Sequence, residues 1–405
     1  MNTPKPVQKK GASETGSPRL SNGPNPEPQT TPAEKQFPKV PMSAPRFWHG
    51  MRFTTYLKLL WRGRFRIHFL GLGMCIAILF FSAINSVLAA VQALVFGRRI
   101  RKTEISQPPV FIVGHWRSGT TLVHELMNLD EEMAAPTTYE CFTPSHFLIS
   151  SWLLKPLVAL VIPGTRPMDN MESGADRPQE DEFAICALGA PSSYESMAFP
   201  NLPRPNQELI DMKEVDQQKR ETLARAILFF ARSLTARWGK RLLFKSPTHT
   251  GRIEFLRQLF PGAKFLHISR DPASVIPSTV RLWTRLDQVN GFQIPRYDQE
   301  SLEKHVGETF ARMYRAFDQQ TDEQNEDVYT LRYESIVENP VEALRQAYDN
   351  LQLEGFEQLE PKIRNYMQDR SDYRKNQHSL NDGLRQIINH NCREYQEKYG
   401  YPPVP

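Results

Sequence analysis

The hydrophobic positions of this chain fall into short apolar runs separated by longer amphipathic stretches. The runs near 110–114, 241–245, 264–269 and 328–333 are five or six residues long, which predicts strands. Apolar positions at helical spacing predict helices at about 206–238, 250–260, 272–289, 299–320, 340–352 and 380–398. Because strands and helices alternate and their connecting turns are short, the pattern predicts an α/β protein with a parallel sheet between two helical layers.

Two regions of different composition precede the first predicted strand. Residues 1–45 hold ten of the 32 prolines of the chain and lack apolar periodicity, which predicts a disordered tail. Residues 46–102 form a hydrophobic segment with basic flanks, and its core at about 68–97 contains no Asp, Glu, Lys or Arg. The third region, 103–405, holds every predicted strand and is expected to be the catalytic domain.

The apolar core at 68–97 is longer than the roughly 20 residues that cross a bilayer, which predicts a membrane-associated helix. Its second half carries small and polar side chains at helical spacing: Ser82, Asn85, Ser86, Ala89, Gln92 and Ala93. Such a stripe suits helix packing in lipid, and it also suits an amphipathic helix in the interface. Basic clusters on both sides (Lys58, Arg62, Arg64 and Arg66; Arg98, Arg99, Arg101 and Lys102) leave the positive-inside rule undecided. A transmembrane helix, an interfacial helix and a buried soluble helix all stay open.

Charge and cysteine usage exclude several classes of protein. The chain has 50 basic and 45 acidic residues, a net charge of +5, and no overall signature of nucleic-acid binding. Its four cysteines are scattered without the spacing of a metal site or of a disulfide framework. This predicts no metal ligands and a reducing compartment.

The most informative motif follows the first predicted strand. A glycine-bounded loop opens a helix there, so that backbone N–H groups, hydroxyls and the positive helix end converge on an anion. The loop residues are Gly114, Arg117, Ser118, Gly119, Thr120 and Thr121. The spacing is that of a P-loop, but Thr120 stands where a nucleotide triphosphatase has lysine, and Arg117 places the cation inside the loop. Because a sulfuryl group carries less charge than a triphosphate, this pattern favours a phosphosulfate donor over ATP.

Two later strand ends carry further cations. Lys245 ends the second predicted strand, with His249 four residues later, and Arg270 ends the third, with Ser278 in the following helix. The carboxyl ends of parallel strands form the edge where open α/β sheets bind ligands. These residues are therefore expected near the loop.

In these motifs, the chain resembles the sulfotransferases that use 3′-phosphoadenosine 5′-phosphosulfate (PAPS), and within them the tyrosylprotein and bacterial branches. The resemblance spans roughly residues 108 to 400. It implies that Arg117, Ser118, Gly119, Thr120 and Thr121 bind the 5′-phosphosulfate, that Arg270 and Ser278 bind the 3′-phosphate, and that no metal is required. Arg374 and Lys375 resemble the basic C-terminal segment of the family, although the Arg-Lys-Gly closing loop of its cytosolic members is absent.

The catalytic base has more than one candidate. Glu140 lies about where the tyrosylprotein branch has its catalytic glutamate, and His249 lies near the position of the histidine of the cytosolic branch. Lys245 suits the leaving phosphate. The acidic cluster Glu180-Asp181-Glu182 is expected to be a charge patch at a helix N-terminus, with orientation of an acceptor as its alternative role.

The acceptor is not identified by any motif. A carbohydrate, a peptide tyrosine, a small molecule and a lipid-linked alcohol all stay open, with residues 140–200 as the expected cover of the acceptor site. The membrane segment favours a lipid-linked acceptor, bound by a domain on the cytoplasmic side, where PAPS is made. Two alternatives from other classes are a small-molecule kinase that uses ATP, and an inactive, membrane-tethered interaction protein. The oligomeric state is left undetermined.

Overall fold

A five-stranded sheet forms the centre of the computed structural model, which describes residues 46–160, 174–322, 325–368 and 380–405. The strands are Val110–Val113 (β1), Met133–Ala134 (β2), Arg241–Lys245 (β3), Lys264–Ser269 (β4) and Val328–Arg332 (β5). They are arranged in the order β2-β3-β1-β4-β5, and all neighbours are parallel. This confirms the predicted parallel α/β fold.

Helices surround the sheet. The first seven are Phe53–Arg62 (α1), Leu72–Lys102 (α2), Thr120–Met127 (α3), Thr138–Phe142 (α4), Phe147–Ala159 (α5), Asp181–Leu188 (α6) and Gln217–Trp238 (α7). The next four are Ile253–Leu259 (α8), Pro272–Asn290 (α9), Gln299–Gln320 (α10) and Tyr333–Glu338 (α11). The last four are Pro340–Asn350 (α12), Phe356–Gln368 (α13), Asp382–Asn391 (α14) and Arg393–Tyr399 (α15).

The core lies on both faces of the sheet because β1 is buried on both sides. Phe111 points to one face, where it stacks on Phe244 of β3 and Phe265 of β4 at ring-centroid distances of 5.4 and 5.5 Å. Val110 and Ile112 point to the other face and pack in a second cluster with residues of α3, α12 and α13. Two helical layers therefore enclose the sheet, as predicted.

Local capping explains where several elements depart from prediction. The expected helix at 206–238 is a 3-10 turn at Gln207–Ile210 followed by α7, which begins where the Asp216 carboxylate accepts from the Gln218 N–H at 2.6 Å. The expected helix at 250–260 is likewise a 3-10 turn, Pro247–Gly251, and then α8. The C-terminal helix divides at Cys392 into α14 and α15. Strand β2 and helix α13 were not predicted.

The long apolar segment forms α2, which is long and apolar enough to cross a membrane. In the structure, α2 packs along the rest of the protein, against α1, α5 and α7. Its polar stripe faces inward: the Asn85 amide donates to the carbonyl of Met51 at 3.1 Å, and the Gln92 side-chain oxygen accepts from the Leu148 N–H at 2.8 Å. The stripe thus fastens α2 to the domain.

Some predictions concern residues outside the described ranges. The predicted tail at 1–45 is one of them, and the basic residues Arg374 and Lys375 are another. These stay predictions.

Candidate active site

The glycine-bounded loop adopts the cradle that its sequence predicts. Three of its residues have left-handed backbone conformations: Gly114 (φ +143°), Arg117 (φ +69°) and Gly119 (φ +104°). A Cβ on Gly114 would lie 2.7 Å from the carbonyl oxygen of Ile268, and a Cβ on Gly119 would lie 2.2 Å from the Tyr333 ring. Glycine is required at both positions because the backbone conformation and the available space each exclude a side chain.

The interior of the cradle contains a polar atom that no described residue satisfies. The Ser118 hydroxyl is buried, and no hydrogen-bond partner for it exists among the described residues. Buried hydroxyls almost always have partners, so an orphan here indicates a place for a ligand acceptor. Because Ser118 precedes the N-terminus of α3, an anionic group fits this site.

The structure brings Arg117, Ser278 and Arg270 together. Arg117 Nε donates to Ser278 Oγ at 2.9 Å, and the Arg270 guanidinium donates to the Arg117 carbonyl at 2.9 Å. Arg270 also stacks on the ring of Tyr333, with its Cζ 4.0 Å from the ring centroid. The three residues are only partly buried. The loop after β1, the end of β4 and the N-terminal half of α9 thus form a cationic edge next to the cradle.

A buried ion pair lies at the end of β3. Lys245 Nζ is 2.8 Å from Glu180 Oε1, and Lys245 itself is 1% exposed. The other oxygen of Glu180 accepts from the Tyr194 hydroxyl at 2.6 Å, and that hydroxyl accepts from Trp116 Nε1 at 3.1 Å. The chain of contacts therefore runs from the loop to the ion pair.

Burial sets the protonation state of Tyr194. It raises the pKa of the phenol well above its ordinary range, and the neighbouring Glu180 carboxylate raises it further. Tyr194 is therefore a neutral hydrogen-bond donor to Glu180, fixing the carboxylate beside Lys245.

The two acidic residues after Glu180 hold the turn that follows β3. Asp181 Oδ2 contacts His249 Nε2 at 2.7 Å, and Glu182 pairs with the buried Arg252 at 2.8 Å. Burial alone would raise the pKa of Asp181, but the contacts with His249 and Ser246 and a backbone hydrogen bond together lower it. His249 is fully buried in this pair. The cluster is more than a charge patch, because it anchors α6 to the turn after Lys245.

Glu140 is placed differently. One of its oxygens accepts from the Thr137 backbone N–H at 2.8 Å as part of a capping box at the start of α4. The other accepts from Trp238 Nε1 at 3.0 Å and pairs with Arg237 at 3.1 Å. Both oxygens of this buried carboxylate are therefore occupied by the end of α7 and the start of α4.

A small cavity of about 30 Å³ lies on the far side of Trp116. It is lined by aromatic and apolar side chains, including Tyr194, Met197, Trp283 and Leu286, and by the carboxylate of Asp287. Burial raises the pKa of Asp287 to about 6, although the Arg204 guanidinium partly offsets this effect. Its lining residues Ser193, Tyr194, Ser196 and Met197 belong to the predicted acceptor cover, and others belong to α9 and α10.

Among the residues that the structure describes, no cluster of three or more His, Cys, Asp or Glu side chains is arranged to hold a metal ion. The cations of the site are side chains: Arg117, Lys245 and Arg270.

A parallel sheet with a lysine-free P-loop cradle and three converging cations defines a group transferase that handles an anionic donor. Residues 108–358 match the sequence model of the Sulfotransferase family, and the chain belongs to that family. The chain is 39% identical over 355 residues to the omega-hydroxy-beta-dihydromenaquinone-9 sulfotransferase Stf3 of Mycobacterium tuberculosis and of Mycobacterium bovis. Each match covers 87% of this chain and 91% of the relative.

Solved sulfotransferases share the fold. The structure of STF9 from Mycobacterium avium aligns with a TM-score of 0.58 at 18% identity, over 86% of this chain and 96% of that one. STF1 from Mycobacterium tuberculosis aligns with a TM-score of 0.50 at 14% identity, over 84% of this chain and 86% of that one. The sulfotransferase fold and enzyme class predicted from the sequence are confirmed, and the kinase and inactive-protein alternatives receive no support.

The sequence motifs favour Glu140 over Glu180, and no motif indicates Tyr194 or Tyr333. Glu180 and Lys245 are 65 positions apart, so no local spacing indicates their contact. The one available signal was the acidic run that contains Glu180.

Proposed function

We propose that this sulfotransferase transfers the sulfuryl group of PAPS to a hydroxyl group of a membrane lipid. The observation that carries the proposal is the convergence of the Ser118 cradle, the Arg117–Ser278–Arg270 edge and the Lys245–Glu180 pair at the carboxyl ends of three neighbouring strands. PAPS has one anionic group for the Ser118 cradle and another for the Arg117–Ser278–Arg270 edge. Family membership supports this cofactor.

The residues for the cofactor follow from these places. In the proposal, the loop with Ser118, Gly119, Thr120 and Thr121 holds the 5′-phosphosulfate at the N-terminus of α3. Arg270 and Ser278 hold the 3′-phosphate, and Arg117 lies between the 5′-phosphosulfate and the 3′-phosphate. Arg374 and Lys375 are proposed as further contacts from the C-terminal segment.

PAPS, when bound, supplies an activated sulfur whose bond to the phosphate oxygen breaks as the acceptor oxygen bonds to it. Lys245 Nζ then donates to the phosphate side, where negative charge develops. Glu180 accepts the proton of the acceptor hydroxyl. Glu180 is favoured over Glu140 and His249 because the contacts of those two already tie them into the fold.

A lipid acceptor is supported by the relatives and by the surface of the protein. Stf3 is named for a hydroxylated menaquinone, which is a polyisoprenoid lipid, and the match covers most of both chains. Apolar side chains are exposed on α1, α2 and α5. A terminal alcohol on an apolar chain is therefore the proposed acceptor, reached from the cytoplasmic leaflet. Carbohydrate and tyrosine acceptors have no support in these comparisons.

Isothermal titration of the detergent-solubilised full chain with adenosine 3′,5′-bisphosphate tests the cofactor. We expect binding with and without Mg²⁺, and weak binding of 5′-AMP and ATP. Arg270→Ala should weaken bisphosphate binding by at least about tenfold, because a charged hydrogen bond contributes about 1.5–3 kcal/mol. The matched control Arg315→Ala, at an exposed arginine of α10, should bind as the wild type does. Binding of ATP with Mg²⁺ but not of the bisphosphate would overturn the proposed cofactor.

The acceptor class is tested with radiolabelled PAPS. Polyisoprenoid alcohols in mixed micelles are compared with a tyrosine peptide and with sugars, and labelled product is measured. Labelling of the peptide or the sugars alone would reject a lipid acceptor while leaving the sulfuryl transfer intact.

A further inference from the structure

An exposed apolar surface extends over the helices α1, α2 and α5. It includes Trp61 of α1, Phe69 of the next 3-10 turn, Phe80, Val87 and Leu94 of α2, and Trp152 and Leu160 at α5. Leu94 is 86% exposed and Trp152 is 77% exposed. We call this surface, defined by these seven residues, the apolar face.

The helices that carry the apolar face are joined through α2. Helix α2 packs against both α1 and α5. The Phe53 N–H at the start of α1 donates to Ser86 Oγ at 2.8 Å, and the Leu148 N–H at the start of α5 donates to Gln92 at 2.8 Å. Exposed apolar patches of this extent on a soluble protein indicate an interaction surface.

Helix α2 is fastened to the protein along its whole length. Near its start, the Cys75 carbonyl accepts from the Tyr56 hydroxyl at 3.2 Å. At its centre, Asn85 contacts His146 at 3.1 Å, and near its end Arg99 donates to the Ala236 carbonyl at 2.6 Å. A spanning orientation would break these bonds and place Ser82, Asn85 and Gln92 in hydrocarbon, where unsatisfied polar groups are costly.

Charge around the apolar face identifies the occupant. Residues 46–102 contain ten Lys and Arg and no Asp or Glu. Exposed members of this set lie at both ends of α2: Lys58, Arg64 and Arg66 on one side, and Arg98, Arg101 and Lys102 on the other. Two tryptophans within an apolar surface that has basic ends match the layering of a lipid leaflet with anionic headgroups.

We propose that the apolar face docks this protein onto an anionic bilayer, with α2 lying along the surface of one leaflet instead of spanning the membrane. The apolar side chains enter the leaflet, and the basic side chains at both ends contact its headgroups. The proposal does not depend on PAPS or on the acceptor, and its tests use no catalytic readout.

Binding to preformed vesicles tests the surface. Full-length protein should float with vesicles that contain about 30% phosphatidylglycerol, and less of it should float with phosphatidylcholine alone or at high salt. The double variant Val87→Glu/Leu94→Glu in α2 and the single variant Trp152→Glu in α5 should each weaken partitioning by at least about tenfold. Each variant removes apolar area that enters the leaflet, and it adds a charge there. Circular dichroism and the melting temperature confirm that the variants fold.

The matched control replaces an exposed apolar residue away from the apolar face. Val337, on α11, is 37% exposed, and α11 packs against β5 and α12. Val337→Glu should float as the wild type does. If folded Val87→Glu/Leu94→Glu and Trp152→Glu proteins bind vesicles as well as the wild type, the apolar face is not the docking surface and the proposal fails.

Labelling of single cysteines separates docking from spanning. The four native cysteines are buried, so Arg66→Cys and Lys102→Cys introduce exposed thiols at opposite ends of α2. In sealed membrane vesicles of one orientation, docking predicts that an impermeant maleimide labels both positions or neither. Labelling of one position in right-side-out vesicles and of the other in inside-out vesicles would show a transmembrane helix and overturn the proposal.

Discussion

At the scale of single residues, two carboxylates with cationic partners differ in what surrounds their oxygens. Glu140 satisfies the N-terminus of α4 and the end of α7, whereas the carboxylate oxygens of Glu180 have Lys245 and a neutral phenol as their described hydrogen-bond partners. The contacts of Glu140 hold elements together. Those of Glu180 are with the Tyr194 hydroxyl and with a lysine at a strand end, and in the proposed function an acceptor hydroxyl and a donor phosphate replace them.

Paired substitutions test this difference. Glu180→Gln should lower kcat by about 10²–10⁴-fold, because the amide cannot accept a proton, and bisphosphate binding should persist. Glu140→Gln should instead lower the free energy of unfolding by about 1–3 kcal/mol, through the lost ion pair and the weakened capping box, with little change in kcat per folded molecule. Transfer rates and urea unfolding of both variants measure this. The reverse pattern would make Glu140 the base.

Asp287 makes the folding stability of the protein depend on pH. Its pKa is about 6 in the folded protein, against an ordinary value of 3.8, because burial disfavours the charged form. The folded state therefore holds this proton more tightly than the unfolded state. The stability that the protonated group provides is complete below pH about 4 and is lost as the pH rises through about 6.

Replacement of Asp287 by asparagine removes this titration. We expect Asp287→Asn to gain about 2–3 kcal/mol of unfolding free energy relative to wild type between pH 4 and pH 7.5. Denaturant unfolding in detergent at the two pH values checks this. Asp349→Asn, at an exposed position of α12, is the control and should show no such gain. An equal difference from wild type at both pH values would contradict the expected sign.

At the scale of elements, the loop between β1 and α3 depends on one glycine in two ways. Gly119 has φ +104°, and a Cβ there would overlap the Tyr333 ring at the start of α11. Gly239, at the end of α7, has φ +62° but no atom within 4 Å of a built Cβ. The two positions separate backbone strain from steric overlap.

Alanine at these two glycines should therefore have unequal effects. Gly239→Ala should cost about 1 kcal/mol of unfolding free energy from backbone strain alone. Gly119→Ala should cost at least about 2 kcal/mol more, because the ring or the loop must move, and it should also weaken bisphosphate binding. Thermal unfolding and titration measure both quantities. Equal losses in the two variants would show that the Tyr333 contact is unimportant.

Elements with a strong local signal could be predicted from the sequence, and elements fixed by distant contacts could not. The apolar runs of β1, β3, β4 and β5 identify them within one residue. Strand β2 has two residues and is held by pairing with β3, so no local pattern indicates it. The start of α7 depends on the Asp216 cap. Helical periodicity alone would include the polar stretch before this cap in the helix.

The same distinction applies to the site. The loop and its cations could be predicted because glycines and strand ends leave a local signal. The partner of Lys245 and the direction of the polar stripe on α2 depend on tertiary contacts, which leave no local signal. Asn85 and Gln92 have the spacing of a helix contact in lipid, and only the folded chain shows that they face α5 and the segment before α1.

At the scale of the whole molecule, an enzyme attached to a leaflet by its apolar face would meet its acceptor in two dimensions. Under the docking proposal, the rate depends on the mole fraction of acceptor in the bilayer and not on its amount per volume. At a constant amount of acceptor alcohol, added inert lipid should slow product formation in proportion to the dilution. At a constant mole fraction, more vesicles should leave the rate of fully bound enzyme unchanged. Steady-state rates over a series of vesicle compositions would distinguish this surface dilution from ordinary saturation in solution, so attachment through the apolar face would determine the concentration that limits catalysis.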